Sequence, residues 1–289
     1  MDTIILTDSS CDLPLEIIEK NQISFLGLNY HLSYGDYVDD FGKSLDYKKF
    51  YNSVREGEMP TTSQINIYRF QDTFRKYAKQ GKSVIYIGMS SAISGCINCA
   101  TMARDQLLEE MPNADITVID SKSASIGQGI LICKAAEMLS NGYSKCEIIN
   151  WVEENKLNVN HWFIVDDLMH LKRGGRLSYT AATIGSILDI KPILCINRKG
   201  ELINFNNIRG RKKAIRTLIK LFEENCINPE NQVIGISHGD CIEDALFLKE
   251  LVTEEFKVKD VIINYVGPAI GSHTGPGMLS LCFFGKERS

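Results

Sequence analysis

The sequence predicts an α/β protein of two domains, the first built on a mostly parallel sheet flanked by helices and the second on a mixed sheet. Three observations predict it. Over residues 1–142 short apolar strands alternate with amphipathic helices, the pattern of a parallel sheet covered on both faces. Beyond residue 158, Ile193-Leu-Cys-Ile196 and Leu202-Ile-Asn-Phe205 read as an antiparallel pair joined by Arg198-Lys-Gly200. The length of 289 residues favours two domains over one. The boundary is set in Lys156-Leu-Asn-Val-Asn160, which divides the chain into 1–158 and 159–289.

Each element has its own signal. Thr3-Ile-Ile-Leu-Thr7 is a β-branched strand, and Asp8-Ser-Ser-Cys-Asp12 supplies N-caps for a helix over 14–21. Ile23 to His31 reads as a second strand, with a hairpin turn at Tyr34-Gly-Asp36. Helices are expected at 46–56, 66–80 and 96–110, with strands at 83–88 and 116–120 among them. A helix over 127–141 stops at Asn141-Gly142. In the second half, strand 162–165 precedes a basic glycine turn, Leu171-Lys-Arg-Gly-Gly-Arg176. A helix over 180–188 ends before Lys191-Pro192. Helix 211–224, strand 232–237, helix 241–255, strand 260–266 and strand 279–284 complete the chain.

Composition excludes several classes. A net charge of −4 argues against a nucleic-acid partner or an anionic membrane surface. No apolar run reaches the roughly 18 residues that span a bilayer, so no stable membrane insertion is expected. Residues 1–7 carry no basic leader. The nine cysteines are odd in number and scattered through apolar segments, which suggests reduced thiols in a cytoplasmic protein. No histidine cluster has metal-ligand spacing, so neither metal nor cofactor is expected. His31, His161, His170 and His238 read as ordinary core or surface residues.

Candidate chemistry concentrates in loops. Val266-Gly-Pro-Ala-Ile-Gly-Ser-His-Thr-Gly-Pro-Gly277 follows an apolar strand and fixes a His and a Thr on a stiff backbone. Pro60-Thr-Thr-Ser-Gln64 and Ser90-Ser-Ala-Ile-Ser-Gly95 are hydroxyl-rich stretches at expected helix starts, where backbone N–H groups suit an anion. The glycine turn would bring Arg176 beside a ligand or partner, and a guanidinium matches carboxylate geometry. Arg209-Gly-Arg-Lys-Lys213 opens a basic helix, whose charges read equally as a solvated face. Cys96-Ile-Asn-Cys99 is a lone C-x-x-C and carries little weight for redox or metal. Gly235-Ile-Ser-His-Gly239 matches a nucleophile elbow, giving an alternative serine hydrolase with Ser237, His273 and Asp240 or Asp260. Only a short stretch of chain follows Ser237, which leaves little sheet to carry both partners.

Taken in order, Thr7-Asp-Ser-Ser-Cys-Asp-Leu13, Thr62-Ser-Gln64, Ser91-Ala-Ile-Ser-Gly95, Asp120-Ser121, Leu171-Lys-Arg-Gly-Gly-Arg176, Ile190-Lys-Pro192, Arg209-Gly210 and His273-Thr-Gly-Pro-Gly277 resemble the DegV family from end to end. The resemblance implies two α/β domains with a long-chain fatty acid, such as palmitate, between them, and a carrier rather than an enzyme. Some family members are the binding subunits of bacterial fatty acid kinase and present the carboxylate to a separate ATP-dependent subunit. By motif, Thr62, Ser94 and His273 would hold the carboxylate. Arg176 and Arg209 match family arginines near the head group or the kinase-docking face. Cys96 departs from the family, which usually has Thr there, and a thiol is the weaker donor.

Overall fold

Alternating apolar strands and helices generate two main sheets with a shared helix between them, and a third, small one beside the first. A computed structural model describes residues 2–177 and 189–289. The helix expected over 180–188 lies outside the described residues. The first half runs β1 (Thr3–Asp8), α1 (Leu15–Lys20), β2 (Ser24–Leu26), β3 (Asn29–Leu32), β4 (Gly35–Val38), α2 (Tyr47–Arg55), β5 (Thr61–Ser63) and α3 (Ile67–Lys79). It continues through β6 (Ser83–Gly88), α4 (Cys96–Glu110), β7 (Ile116–Asp120), α5 (Ser125–Ser140) and α6 (Lys145–Asn155). The second half runs β8 (Val159–Ile164), α7 (Met169–Arg173), β9 (Ile190–Ile196), β10 (Leu202–Arg209), α8 (Arg211–Asn225), β11 (Val233–His238), α9 (Ile242–Glu255), β12 (Asp260–Tyr265), α10 (Pro268–Thr274) and β13 (Leu279–Phe284).

The first sheet has the order β2-β1-β6-β7 and is parallel throughout. Every residue of β6 is buried, as a strand covered on both faces requires. The second sheet has the order β10-β9-β8-β13-β11-β12, with β11 and β12 its only parallel pair among the described residues, so it is the mixed sheet expected. Helix α5 explains how the two meet. It is apolar nearly all round, and such a helix must be buried on all sides. It packs on β1 and β6 on one side and on β8, β11 and β13 on the other. Its first residue, Ser125, takes a left-handed φ of 51° and bonds to Asp12 from the first half and to Ser237 from the second, 2.9 Å away.

Several elements differ from the sequence expectation. The strand expected over 23–31 breaks in two at Gly27. A Cβ there would lie 2.6 Å from the Asp39 carbonyl oxygen, so only glycine lets the chain bend away from the parallel sheet. The continuation, β3, builds a small antiparallel sheet of order β4-β3-β5. Helix α6 was not anticipated, although Ser144 and Glu147 form a full capping box at its start. The glycine-rich stretch after β12 is helical as α10, with Pro268 in its first turn, rather than a loop.

Candidate functional site

The three residues that the family resemblance selected meet in one place. Thr62 is on β5, opposite Tyr30 of β3, and so belongs to a strand rather than a helix start. His273 is on α10, which packs against β3 and β5. Thr62 Oγ1 and His273 Nε2 are 2.7 Å apart across 211 residues of sequence. Ser94 sits in the turn between β6 and α4 and is buried. All three line a single cavity whose remaining wall is mostly apolar, including Leu28, Phe163, Ile196, Leu202, Ala269 and Met278. The space between its walls, mouth included, is about 640 Å³, yet only about 60 Å³ is wide enough for the centre of a water molecule. The cavity is therefore a narrow slot. Thr62, Arg176 and His273 also line a surface depression with Met59, Pro60 and His170, so the polar group stands on the solvent side of the slot.

His273 is uncharged where it faces the cavity. Burial, and then the Arg176 charge, push His273 down to about 4, so the ring is neutral at neutral pH. Its Nδ1 has no partner among the described residues. A buried orphan N–H is rarer than a buried orphan acceptor, so we assign the proton to Nε2. His273 then donates to Thr62 Oγ1, and the Thr62 hydroxyl proton is free to point elsewhere. Gly174 seats this ring. A Cβ at 174 would overlap Nδ1 and lie 3.0 Å from Cε1. The two glycines of the basic turn thus have different roles. Gly175 takes the left-handed φ of 69° that makes the turn, whereas Gly174 is in ordinary helical conformation and is small because of His273.

Arg176 ties this seat to the Ser94 turn. Its Nη1 donates to the Gly174 carbonyl at 2.6 Å and its Nε to the Ile93 carbonyl at 3.2 Å. Ser94 Oγ accepts from the Cys96 N–H at 3.3 Å and donates to Cys96 Sγ at 3.2 Å. Cys96 Sγ also accepts from the Ile65 N–H, and burial raises its thiol to about 11. Cys99 Sγ accepts from Gln64 Nε2 at 3.1 Å, and both thiols are free. Arg209 is elsewhere. It is the exposed last residue of β10, paired with Ile190, and does not line the slot.

The hydrolase alternative does not assemble. Ser237 lies inside β11, one residue before its end, and not on a strand-to-helix elbow. Its Oγ is fully buried and bonds to Ser125 and to Ser280 at 2.7 Å, not to a histidine. His273 is engaged with Thr62, and Asp240 with Arg55. The sequence match reflects a buried serine ladder between α5, β11 and β13. His161 is the residue that sequence reasoning undervalued. It lines the slot, is 3% exposed, and has no hydrogen-bond partner for either ring nitrogen among the described residues.

An α/β protein with two main sheets and a narrow apolar slot, capped by a hydroxyl, a neutral imidazole and a buried serine, defines the class. The family follows from comparison. The DegV family model, described as an uncharacterised protein family, matches residues 2–286. A DegV domain-containing protein of Clostridium perfringens is 48% identical over 285 residues, covering 99% of this chain and 98% of that one. The chain belongs to the DegV family. The solved structure of DegV from Bacillus subtilis, described as a fatty acid binding protein, superposes with a TM-score of 0.85 at 36% identity, over 99% of this chain and 100% of that one. A DegV family protein from Thermus thermophilus, described for its fatty acid binding, gives 0.88 at 28% identity over 99% and 100%.

Proposed function

We propose that this protein binds a long-chain fatty acid, such as palmitate, in the slot, with the carboxylate at Thr62, Ser94 and His273. The observation that carries the reading is the Thr62–His273 hydrogen bond at one side of an apolar slot also lined by Ser94. With the boundary proposed at residue 158, the ligand lies between two domains. A tail of about 14 methylenes at about 0.8 kcal/mol each gains about 11 kcal/mol on burial. Association costs of about 4–15 kcal/mol offset much of this. The tail therefore supplies the affinity, and the head group fixes direction. A carboxylate out of water needs donors. The Thr62 hydroxyl is free to donate once Nε2–H bonds to its oxygen. Ser94 now donates to a thiol, a weak acceptor, and exchanges it for a carboxylate at little cost.

None of these groups is a nucleophile activated by a base, which supports a carrier over a catalyst. Presentation of the carboxylate to a separate ATP-dependent kinase subunit in the cytoplasm fits the head group's position beside the depression at His170 and Arg173. Extraction of protein purified under native conditions, followed by mass spectrometry, tests the binding. A long-chain acid bound near one per chain is expected. Protein that carries no lipid and takes up neither palmitate nor oleate would overturn the reading.

A further inference from the structure

The slot backs onto a second cavity. His161 of β8 and Ile196 of β9 line both spaces. The rear cavity has about 360 Å³ that the centre of a water molecule can enter, against about 60 Å³ in the slot. Its wall mixes Asn160, Asn225 and Arg288 with an apolar side made by Trp162, Ile203 and Phe205. Two side chains, 3% and 2% exposed, therefore stand between a narrow apolar space and a wider one. Strand register sets them away from the head group. From Ile164, the last residue of β8, the chain passes to α7 and so to Gly174 and Arg176. His161 is three residues back, about 10 Å at the rise of a strand. Ile193 pairs with Ile164, and Ile196 is three residues further along the antiparallel β9, level with His161.

This partition is held in place by its neighbours. The His161 ring packs against the backbone of α5 at Gly127, where a Cβ would come within 3.0 Å of Nδ1. It meets Phe163, on the same face of β8, edge to face with centroids 5.5 Å apart. Arg288 donates to the Ile196 carbonyl at 3.5 Å and to the Lys156 carbonyl at 3.1 Å, which ties the end of β9 to the turn before β8. Burial and then the Arg288 charge push His161 down to about 3, so the ring is neutral at neutral pH and sets no charge against a hydrocarbon.

We propose that His161 and Ile196 are the specificity-determining end wall of the slot and set the longest acyl chain that the protein takes. The inference rests on the fatty-acid reading above and adds the determinant of chain length. Up to the wall, each added methylene strengthens binding about fourfold, the ratio that about 0.8 kcal/mol produces. Past it, a longer tail must fold back on itself or displace a packed ring, and the gain stops. Removing either side chain joins the slot to the rear cavity, whose apolar side then receives the extra carbons.

The test measures myristic, palmitic, stearic, arachidic and behenic acids by competition against a fluorescent fatty acid. On the wild-type protein, affinity is expected to rise along the series and then fall. In His161→Ala and in Ile196→Ala the optimum should move at least two carbons longer. Affinity for the first acid past the wild-type optimum, relative to palmitate, should rise about tenfold. His161→Phe, which keeps a ring in the wall, should leave the optimum where it is. A wild-type affinity still rising at behenic acid, or an optimum unmoved in both alanine variants, overturns the proposal while leaving fatty-acid binding intact. Failure of all five acids to bind the wild-type protein overturns both. Neither ring nitrogen of His161 has a partner among the described residues, so His161→Ala breaks no hydrogen bond. The wild-type length profile stands as a readout even where a variant does not fold.

Discussion

The seat of His273 gives the sharpest test, because two adjacent glycines differ in what they do. Gly174→Ala adds a methyl group to a residue whose φ of −71° any amino acid adopts. The backbone therefore tolerates the change. The ring does not, since the new Cβ overlaps Nδ1 and sits 3.0 Å from Cε1. Moving the ring breaks the 2.7 Å bond to Thr62 and frees the Thr62 oxygen to look for another donor. Hydrogen bonds to a charged group contribute about 1.5–3 kcal/mol, so disturbing the carboxylate contacts should weaken palmitate binding about 10- to 150-fold. Gly175→Ala is the control. Nothing lies within 4 Å of its Cβ, but its φ is 69°. Forcing Ala into that region costs on the order of 1 kcal/mol or more in stability and leaves His273 where it is. Titration with a fluorescent fatty acid and urea unfolding of both variants check this. Gly174→Ala should lose affinity with little loss of stability, and Gly175→Ala the reverse. Wild-type affinity in Gly174→Ala would show that His273 does not need its present position to bind lipid.

Two further outcomes follow from neighbouring groups. Arg176→Ala removes the bonds that join the Gly174 and Ile93 carbonyls, so lipid affinity should fall about tenfold at a typical net loss of about 1 kcal/mol or more. Arg176→Lys should not restore it, because an ammonium lacks the planar fork; full affinity with slowed phosphorylation by a partner kinase would instead make Arg176 a docking residue. Asp39 supports α10 through the Ala269 N–H at 3.1 Å, and burial pushes its carboxyl up to about 7. A carboxyl raised in the folded state favours folding when protonated, so its contribution is present at low pH and is lost as pH rises from about 4 through 7, with a ceiling of about 4 kcal/mol. Asp39→Asn should therefore gain stability relative to wild type between pH 5 and 8, measured by urea unfolding at each pH; a difference that does not change with pH would refute the raised carboxyl.

Much of the fold was legible because its strands are short, apolar and bounded by caps, and its helices are either strongly amphipathic or, as in α5, apolar throughout. What α5 does was not legible. An apolar helix signals burial, but not that it serves two sheets at once. Helix α10 was read as a loop because its seven residues include Pro268 and Gly271, which weaken every local helix signal. At the site, residue chemistry alone nominated three anion-suited segments, and the family resemblance selected Thr62, Ser94 and His273 among them. Contact between Thr62 and His273 joins chain segments 211 residues apart, and no periodicity records that. Gly174 was read as a turn residue because a sequence shows that a side chain is missing, not what would collide with it. His161 was set aside for the same reason. Its unmet nitrogens are a property of the surrounding apolar wall, not of its neighbours in the chain.

The absence of charge on His273 bears on how a carrier of this kind would work. A protonated His273 beside a buried carboxylate would make an ion pair whose rupture leaves one charge stranded, at a cost of about 3–5 kcal/mol. Burial and Arg176 oppose that by holding the ring at about 4 in the ligand-free chain. The carboxylate would then meet the Thr62 and Ser94 hydroxyls, which fix its position without handing it a proton. Its oxygens stay negatively charged and nucleophilic, which phosphoryl transfer to them requires. Release also becomes cheaper, since Thr62 and Ser94 fall back on His273 and Cys96, the partners they already have.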